Sequence, residues 1–385
     1  MMKDDLNEAV YTLKRSAIRE FSKLAAATPG CVRLTLGEPD YDTPEAVCNA
    51  AVQSLAEGDT HYIENNGSKA LRERIAAFEH EQNGMDYTAD EVIVTAGATE
   101  ALFVALFGIL NPGDEVIIPM PAFVLYEQIV NLCRGTFVPM DTSGSDFQIR
   151  KDALLPLITE RTKAIVLNSP NNPTGCIYDA ESLEAVREAV RGRGIFVICD
   201  DVYRQLCYRE DYHSFAEFRE LREQLLVVQS FSKPYAMTGW RVGYLMADRS
   251  VLERLELVHQ FLVVSTPAPF QKACITALDT DPGEMLEEYR WRRDYVMDRL
   301  QRMGLRTVVP EGAFYVFPSI ETTGLDAVTF CTRLVKEAGV AVTPGAAFGS
   351  VQHIRISYCC SREDLREGLD RLEGFLATLR EEQAL

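Results

Sequence analysis

The feature that most constrains the fold of this chain is an alternation of apolar strands and amphipathic helices that begins near residue 68. Five segments are predicted as buried strands, which are DEVIVTAG, DEVIIPMP, KAIVLNSP, IFVICDDVY and LLVVQSFS. Helical patterns separate most of these strands along the chain. Continuous Val, Ile and Leu runs that alternate with helices indicate a mainly parallel sheet covered on both faces. The predicted fold class is therefore α/β.

The pattern changes after about residue 282, where a long charged helix is predicted. Short strands are then predicted at RTVVP, AFYVFP, VAVTPG and HIRISY, and a final helix follows them. Such an α+β pattern is typical of a second, smaller domain. We expect a large α/β domain at residues 46–281. The small domain is expected to combine residues 1–45, which include a helix within residues 6–30, with residues 282–385.

Composition and charge exclude several classes of function. The chain has 385 residues, and no apolar run in it is long enough to span a bilayer. Its charged first residues contain no signal-peptide apolar stretch, so we expect a cytoplasmic protein with no membrane partner. The formal charge of −18 would repel nucleic acid. Ten scattered cysteines and five histidines lack the spacings of zinc or redox sites, so no metal is expected.

Polar residues follow several predicted strands, at the sheet edge where parallel α/β folds bind ligands. The first set is Gly97, Ala98 and Thr99, where a strand leads through a glycine turn into a helix. Free N–H groups and the helix dipole suit a phosphate there. The alternative is a simple turn with Thr99 as the helix N-cap. No G-x-G-x-x-G or G-x-x-x-x-G-K-[ST] pattern occurs, which disfavours a dinucleotide-dependent hydride-transfer enzyme.

Two further strand ends carry Asn172 and Asp200. Pro170 and Pro173 stiffen the loop around Asn172 and leave its amide free to donate and accept, although a plain Asn-Pro turn is the alternative. Asp200 follows an apolar strand and precedes Tyr203 by three residues, so its carboxylate is expected to be buried. A buried carboxylate needs a cation or firm hydrogen bonds. Two roles stay open for it, which are to stabilise a ligand cation or to form a structural ion pair.

After another apolar strand, the chain places Ser230, Ser232, Lys233 and Arg241 within twelve residues. Hydroxyl groups and a guanidinium suit a phosphate. A lysine at a desolvated strand end is partly neutral and can therefore attack an aldehyde. The alternative is an ion pair between Lys233 and Asp200.

Arg355 lies within the predicted strand HIRISY, between apolar residues. A guanidinium in that position needs a carboxylate, and its fork geometry suits a bidentate clamp. The carboxylate can belong to the protein or to a substrate, and this residue alone does not decide between them.

In combination, the phosphate turn, the asparagine in a Pro-rich loop, the buried aspartate and the Ser-x-Ser-Lys with a downstream arginine resemble the class I/II aminotransferases. These are pyridoxal-phosphate-dependent enzymes of fold type I. The resemblance extends from LGEPDYDTP to IRISY and so covers nearly the whole chain. It implies a large domain with a mainly parallel seven-stranded sheet between helices, a smaller α+β domain, pyridoxal 5'-phosphate as cofactor and a homodimer with shared active sites.

The resemblance also implies roles for individual residues. Lys233 would form the Schiff base with the cofactor and move a proton between the substrate Cα and the cofactor C4′, while Asp200 keeps the pyridine nitrogen protonated. The implied ring contacts are Tyr203 and Asn172 at O3′ and Phe123 on the ring face. The implied phosphate contacts are Gly97, Ala98, Thr99, Ser230, Ser232, Arg241 and, from the neighbouring subunit, Tyr62. The implied substrate contacts are Gly37, Asn172 and Arg355.

Two departures from the family pattern concern the phosphate. The loop after Tyr62 carries Asn65 and Asn66, where the family often shows Pro or Ala and then Gly. Thr99 stands where many relatives have Lys or Gln. The anion is therefore expected to depend more on the helix N-terminus and on Arg241.

The activity implied by the resemblance is amino transfer from an L-amino acid, of aromatic, aspartate or broad range, to a 2-oxo acid such as 2-oxoglutarate. A cystathionine-type C–S β-lyase that uses the same Lys233 and Asp200 is the enzymatic alternative. A cofactor-sensing regulator is disfavoured, because the LGEPD segment begins near residue 36 and leaves no room for a preceding DNA-binding domain.

Overall fold

The computed structural model describes residues 6–14 and 17–384, without the side chains of residues 17–20. Its helices are α1 (Glu8–Tyr11), α2 (Ala17–Ala27), α3 (Glu45–Glu57), α4 (Lys69–Asn83), α5 (Ala98–Ile109), α6 (Leu125–Leu132), α7 (Lys151–Leu154), α8 (Ala180–Val190), α9 (Arg249–Val263), α10 (Ala268–Leu278), α11 (Gly283–Arg302), α12 (Ala327–Arg333) and α13 (Arg362–Ala384). Its strands are β1 (Val32–Arg33), β2 (Val92–Thr95), β3 (Glu115–Met120), β4 (Thr136–Asp141), β5 (Thr162–Asn168), β6 (Phe196–Asp200), β7 (Leu225–Ser230), β8 (Gly243–Ala247), β9 (Tyr315–Val316), β10 (Val340–Ala341), β11 (Thr343–Pro344) and β12 (Ile354–Ser357).

The main sheet has seven strands in the order β2-β8-β7-β6-β5-β3-β4. Strand β8 runs antiparallel to both β2 and β7, and the other neighbouring strands are parallel. This arrangement confirms the predicted α/β class and the mainly parallel seven-stranded sheet. Because the parallel strands end at the same edge, the segments that follow β2, β5, β6 and β7 are brought together there.

Alternate residues of each strand face opposite layers of helices, as the period of two in a strand requires. In β6, Val197 packs in the cluster that includes α3, α4, α8 and α10, whereas Ile198 packs in the cluster that includes α5, α6 and α9. The same alternation assigns Asp200 to the α5–α6 side. In β7 it assigns Ser230 to that side as well, since Val228 packs there.

A second hydrophobic cluster is built from α11, α12 and α13 with strands β9, β10 and β12. Strands β11, β12 and β9 form an antiparallel sheet, and β1 pairs in parallel with β10. The Leu34 amide then donates to Ala341 O, and the Ser357 amide donates to Leu34 O. These bonds hold the segment after β1 against the C-terminal part of the chain.

Some local expectations were wrong. RTVVP forms no strand, because Val309 is exposed and this segment meets the sheet region through one backbone bond, from the Ser319 amide to Arg306 O. The helix expected within residues 6–30 is divided into α1 and α2, and residues 15–16 between them lie outside the description. Strands β4 and β8 were not anticipated. Strand β4 is a half-exposed edge strand with a proline. Strand β8 directly follows the loop that contains Lys233 and Arg241, which was interpreted from the sequence only as a phosphate and cofactor site.

Two smaller observations bear on the composition. The ten cysteines are free thiols. Within the described ranges, no helix is both long enough and apolar enough to cross a membrane.

A buried ion cluster fastens α4 to the turn after β6. Arg204 donates to Glu79 Oε2 at 2.9 Å and also binds the Asp201 carboxylate. The Tyr244 hydroxyl donates to Glu79 Oε1 at 2.6 Å, and the Ser214 hydroxyl donates to Asp201 at 2.6 Å. Two carboxylates thus share one guanidinium in the interior, where an unpaired charge is strongly destabilising.

We predict that replacing Arg204 by Met lowers the free energy of unfolding by about 3–5 kcal/mol, because Glu79 and Asp201 are left buried without their cation. The matched control is Arg249→Met, which removes a partly exposed arginine from surface ion pairs and is expected to change stability by less than about 1 kcal/mol. Urea unfolding followed by circular dichroism measures both. Equal effects of the two substitutions would contradict the role given to the cluster.

Candidate active site

The structure brings residues from the two small sheets and the main sheet together at the carboxyl edge of the main sheet. The Lys233 ammonium donates to the Gly37 carbonyl at 2.5 Å. Arg355 Nη1 donates to Asn172 Oδ1 at 2.9 Å. The Arg355 guanidinium lies over the ring of Tyr315, at 4.4 Å from its centroid. Four residues that were selected from distant parts of the sequence therefore occupy one region.

Lys233 is held in a desolvated position. The pKa of Lys233 is lowered to about 8, mainly by burial; Cys359 and Glu38 oppose this shift, and the nearby Arg355 and Arg241 contribute to it. In the described part of the chain it forms no ion pair with Asp200, so the simple pairing considered from the sequence is not made. A lysine of this kind is neutral in a substantial fraction of molecules at mildly alkaline pH and can act as a nucleophile.

Asp200 is buried at the end of β6 on the α6 side of the sheet. The Tyr126 hydroxyl donates to Asp200 Oδ2 at 2.6 Å. Among the described residues, Asp200 Oδ1 has no hydrogen-bond partner. Burial raises the pKa of Asp200 to about 7, and the Tyr126 hydrogen bond acts in the opposite direction. The free Oδ1 can therefore accept a further hydrogen bond, and a cationic donor would suit it best.

The structural ion pair that the sequence left open belongs to the next residue. Asp201 pairs with Arg204, whereas Asp200 does not. Strand alternation explains the difference, because neighbouring residues of a strand end point to opposite faces of the sheet. Asp201 is therefore neutralised within the fold by Arg204, whereas Asp200 keeps at the candidate site an oxygen that is unpaired among the described residues.

Arg355 projects from β12 and is buried. Its Nη2 donates to Thr35 O at 2.9 Å, and its guanidinium lies 4.8 Å from the centroid of the Phe348 ring. Its Nε is buried and has no hydrogen-bond partner within the described ranges. No carboxylate of the described residues forms an ion pair with it. A buried guanidinium without an anion fits a site for a substrate carboxylate.

The turn between β2 and α5 has the geometry of an anion site. Helix α5 begins at Ala98, and its N-cap is Gly97 with φ of 78°, so Thr99 lies in the first turn and the alternative of Thr99 as N-cap does not hold. The Arg241 guanidinium lies against Gly97, where a Cβ would collide with it. Glycine is required at position 97 both by its φ and by this approach.

Strand register places the other phosphate candidates beside this turn. Thr95 pairs with Gly243, and Gly243 pairs with Ser230. A Cβ at Gly243 would come within 2.9 Å of the Ala98 amide nitrogen, so its absence lets the turn pack closely. The Ser232 amide donates to the Ser230 hydroxyl at 3.0 Å, which gives the loop its shape.

The remaining predicted residues lie at the borders of the cluster. Tyr203 is buried and shares a hydrogen bond of 3.0 Å with the Tyr315 hydroxyl. Phe123 is half-buried and meets the Tyr126 ring edge to face, with centroids 6.1 Å apart. Tyr62 is 89% exposed.

A cavity of about 890 Å³ adjoins the cluster. Phe123, Tyr126 and Phe348 form part of its wall, but Lys233, Asp200 and Arg355 do not line it. The cavity therefore lies on the far side of these three aromatic rings from Lys233. We place the chemistry at the cluster around Lys233 and not in this cavity.

The residues present fit pyridoxal 5'-phosphate. The free, buried Asp200 Oδ1 suits a protonated ring nitrogen, and the desolvated Lys233 suits an aldehyde. The Gly97 turn with Arg241 suits a dianionic phosphate. These three features lie at the carboxyl ends of β6, β7 and β2 in one sheet, where β6 and β7 are neighbours and β8 separates β7 from β2.

Comparison with known proteins agrees with this geometry. The family described as aminotransferase class I and II matches residues 29–372. This chain is a class I/II aminotransferase. A probable N-acetyl-LL-diaminopimelate aminotransferase of Bacillus subtilis is 39% identical to it over 98% of this chain and 97% of the relative.

Solved structures agree as well. The aspartate aminotransferase of Thermotoga maritima has a TM-score of 0.93 and 36% identity, and the match covers 97% of this aminotransferase and 100% of that chain. The aromatic aminotransferase of Pyrococcus horikoshii has a TM-score of 0.88 and 37% identity, over 94% and 99% of the two chains. Enzymes of this family use pyridoxal 5'-phosphate, and this aminotransferase is pyridoxal-phosphate-dependent.

Sequence reasoning missed several residues that shape the site. Tyr126 and Tyr315 lie in segments read only as a helix and a strand, although both are buried tyrosines whose hydroxyl groups need partners. Asn168, the last residue of β5, donates to Asp200 O and accepts from the Asn172 amide, so it ties two site segments together. A polar residue at the end of an apolar strand was the signal available for Asn168.

We predict that Tyr126→Phe reduces kcat/KM of the aminotransferase about ten- to hundredfold, the range expected when a hydrogen bond to a charged group is lost. The pKa of Asp200 should rise further, because its carboxylate form loses a donor. The control is Tyr235→Phe, which removes a hydroxyl bonded to Gln205 and not to Asp200. Steady-state kinetics of both variants test this, and equal losses would argue against a specific effect on Asp200.

Proposed function

We propose that this aminotransferase takes the amino group from an L-amino acid of aspartate, aromatic or broad range and passes it to a 2-oxo acid such as 2-oxoglutarate in a ping-pong reaction. The observation that carries the proposal is Arg355, a buried guanidinium that has no protein carboxylate within the described ranges and lies in the same cluster as Lys233. Both substrates of such a reaction bring an α-carboxylate, and a bidentate arginine suits it.

Lys233 is proposed as the residue that holds the cofactor and then moves the proton of the substrate Cα. Pyridoxal 5'-phosphate supplies the aldehyde and the electron-withdrawing ring that make this Cα acidic. The lowered pKa of Lys233, about 8, brings its amine near the working range of a general base. The Gly37 carbonyl orients the amine, and Arg355 with Asn172 would position the substrate carboxylate.

The other proposed cofactor contacts are to its ring and to its phosphate. Asp200, supported by Tyr126, would bind the ring nitrogen and keep it protonated. Tyr203 and Asn172 are proposed at O3′, and Phe123 against the ring face. The proposed phosphate contacts are Gly97, Ala98, Thr99, Ser230, Ser232 and Arg241.

The donor range is proposed from the relatives, which are named for aspartate, for aromatic amino acids and for N-acetyl-LL-diaminopimelate. Such differing names at similar identity favour a broad or shifted range over one donor. A panel of these donors with 2-oxoglutarate tests the proposal, and no turnover with any of them would overturn it. Release of pyruvate from cystathionine without an oxo acid would instead favour the C–S lyase.

We predict that Lys233→Ala abolishes turnover and the visible absorption band of the lysine-bound cofactor, because no other amine replaces the side chain. The control is Lys272→Ala, which removes a half-exposed lysine paired with Glu57 and Asp59. It should keep both the band and the activity. Absorption spectra of the purified proteins measure the effect. A band that remains in the Lys233 variant would contradict the assignment of Lys233 as the residue that holds the cofactor.

The active unit is proposed to be a homodimer in which Tyr62 reaches the phosphate site of its neighbour. The exposed position of this tyrosine supports the proposal. So does the end of α9, where Phe261, Leu262 and Val264 expose apolar side chains. A surface of this kind is typical of subunit contacts.

We predict that mixed dimers restore activity. When Lys233→Ala and Tyr62→Ala subunits are unfolded together and refolded, each hybrid dimer contains one site with a native Lys233 and a native Tyr62. Activity should then exceed that of either variant refolded separately. The absence of any gain, with dimers shown by light scattering, would contradict sharing of Tyr62.

The domain division is proposed at residues 46–281 for the large domain and at 1–45 with 282–385 for the small one. The separate cluster around α11–α13 and the pairing of β1 with β10 support it. A cytoplasmic location is also proposed, on the ten cysteines that remain free thiols.

A further inference from the structure

A fully buried histidine lies behind the proposed phosphate turn and has no part in the chemistry described so far. His259 projects from α9. Its Nδ1 lies 2.7 Å from Glu100 Oε1, and its Nε2 lies 2.7 Å from the Asn65 carbonyl oxygen. Both ring nitrogens therefore face oxygen atoms at hydrogen-bond distance.

The partners of His259 determine where its hydrogens are. The Asn65 carbonyl can only accept, so Nε2 must carry a hydrogen. A neutral ring would then present a bare Nδ1 to the Glu100 carboxylate, which repels it. A hydrogen must therefore lie between Nδ1 and Glu100 Oε1, so that the ring is hydrogen-bonded at both nitrogens.

Glu100, the partner of His259, also forms a hydrogen bond with the backbone that leads into the proposed phosphate turn. Its Oε2 accepts the amide of Ala96 at 2.5 Å. Glu100 belongs to the first turn of α5, so its carboxylate closes back over the residues that precede the helix. The Thr95 hydroxyl donates to Gly97 O at 3.1 Å and supports the same turn. The Ala98 and Thr99 amides at the start of α5 are thereby kept in place for an anion.

The Asn65 end of the contact fixes the loop that carries Tyr62. The next residue, Asn66, accepts the amide of Val94 in β2 at 2.9 Å. Gly67 has φ of 96° and packs so closely on Val94 that a Cβ would collide with it. The loop is thus fastened to the strand that leads into the phosphate turn.

We propose that His259 is a positioning residue for the cofactor phosphate, because it joins Glu100 of the phosphate turn to the Tyr62 loop through one buried ring. The inference rests on the proposed function, which places the phosphate at residues 97–99. His259 does not touch the phosphate in this account. His259 instead limits the motion of the turn whose amides are proposed to bind the phosphate.

The test compares cofactors with and without the phosphate. Cofactor-free enzyme is prepared from the purified holoenzyme and titrated with pyridoxal 5'-phosphate and with pyridoxal, with quenching of tryptophan fluorescence as the readout. For His259→Gln we expect the dissociation constant of pyridoxal 5'-phosphate to rise about ten- to hundredfold, the range for a buried polar group that loses its hydrogen-bond partner. That of pyridoxal should change less than about twofold. The control is His80→Gln, at an exposed histidine paired with Asp86, and it should change neither.

Substitutions of Glu100 provide an independent arm. Glu100→Gln can accept the Ala96 amide and donate to a neutral His259, so it preserves all three hydrogen bonds. It should stay within about threefold of the wild-type constant for pyridoxal 5'-phosphate. Glu100→Ala removes two of these bonds and should lose about ten- to hundredfold. Equal losses in the two variants would overturn the proposal.

The outcomes separate this inference from the proposed function. A wild-type enzyme that binds pyridoxal as tightly as pyridoxal 5'-phosphate would refute the phosphate site itself. A wild-type enzyme that prefers the phosphorylated form, with His259→Gln and Glu100→Ala keeping that preference, would refute only the role of His259. A lowered urea midpoint with both ligands weakened equally would show a general structural role and would also refute it.

Discussion

The separation of a buried lysine from a buried carboxylate is the constraint on which the rest of this structure depends. Asp200 ends β6 and Lys233 follows the neighbouring strand β7, and opposite charges in a protein interior attract strongly. The fold nevertheless satisfies each of them elsewhere, Lys233 at the Gly37 carbonyl and Asp200 at the Tyr126 hydroxyl. Since neither neutralises the other, both remain available to a bound molecule. A direct pair would have given a stable core and no reactive amine.

The short segment after β1 makes this separation possible. Its Leu34 forms backbone bonds to the C-terminal part of the chain, and its Thr35 carbonyl accepts from Arg355. Two residues later, the Gly37 carbonyl accepts from Lys233 at the edge of the main sheet. The backbone of residues 34–37 therefore connects Arg355, on the small antiparallel sheet, to Lys233, which follows a strand of the main sheet. The site lies at a seam, and its geometry depends on how the two parts of the chain meet.

Neighbouring buried acids are sorted by the face of the sheet to which they point. Asp201 turns into the interior and shares Arg204 with Glu79, which gives stability without reactivity. Asp200 turns to the α6 side, where a tyrosine hydroxyl is its partner and one oxygen stays free. Glu100 accepts the Ala96 amide before α5 and contacts His259. The same chemical group thus performs three tasks, and only its surroundings distinguish them.

The sequence by itself determined the α/β class, the mainly parallel sheet and the residue types gathered at its carboxyl edge, because strand periodicity and helix amphipathicity are local properties of the chain. It located Lys233, Asp200 and Arg355 but left open whether each was paired within the protein. Strand β8, the ring of Tyr126 behind Asp200 and the contact of His259 with Glu100 were decided by tertiary structure. These depend on which strands become neighbours and on which face a side chain points to, and residues 126 and 200 or 100 and 259 meet only after the sheet has formed. The choice between a structural ion pair and a reactive group is therefore made by packing, since burial and partners set the charge that a side chain can keep.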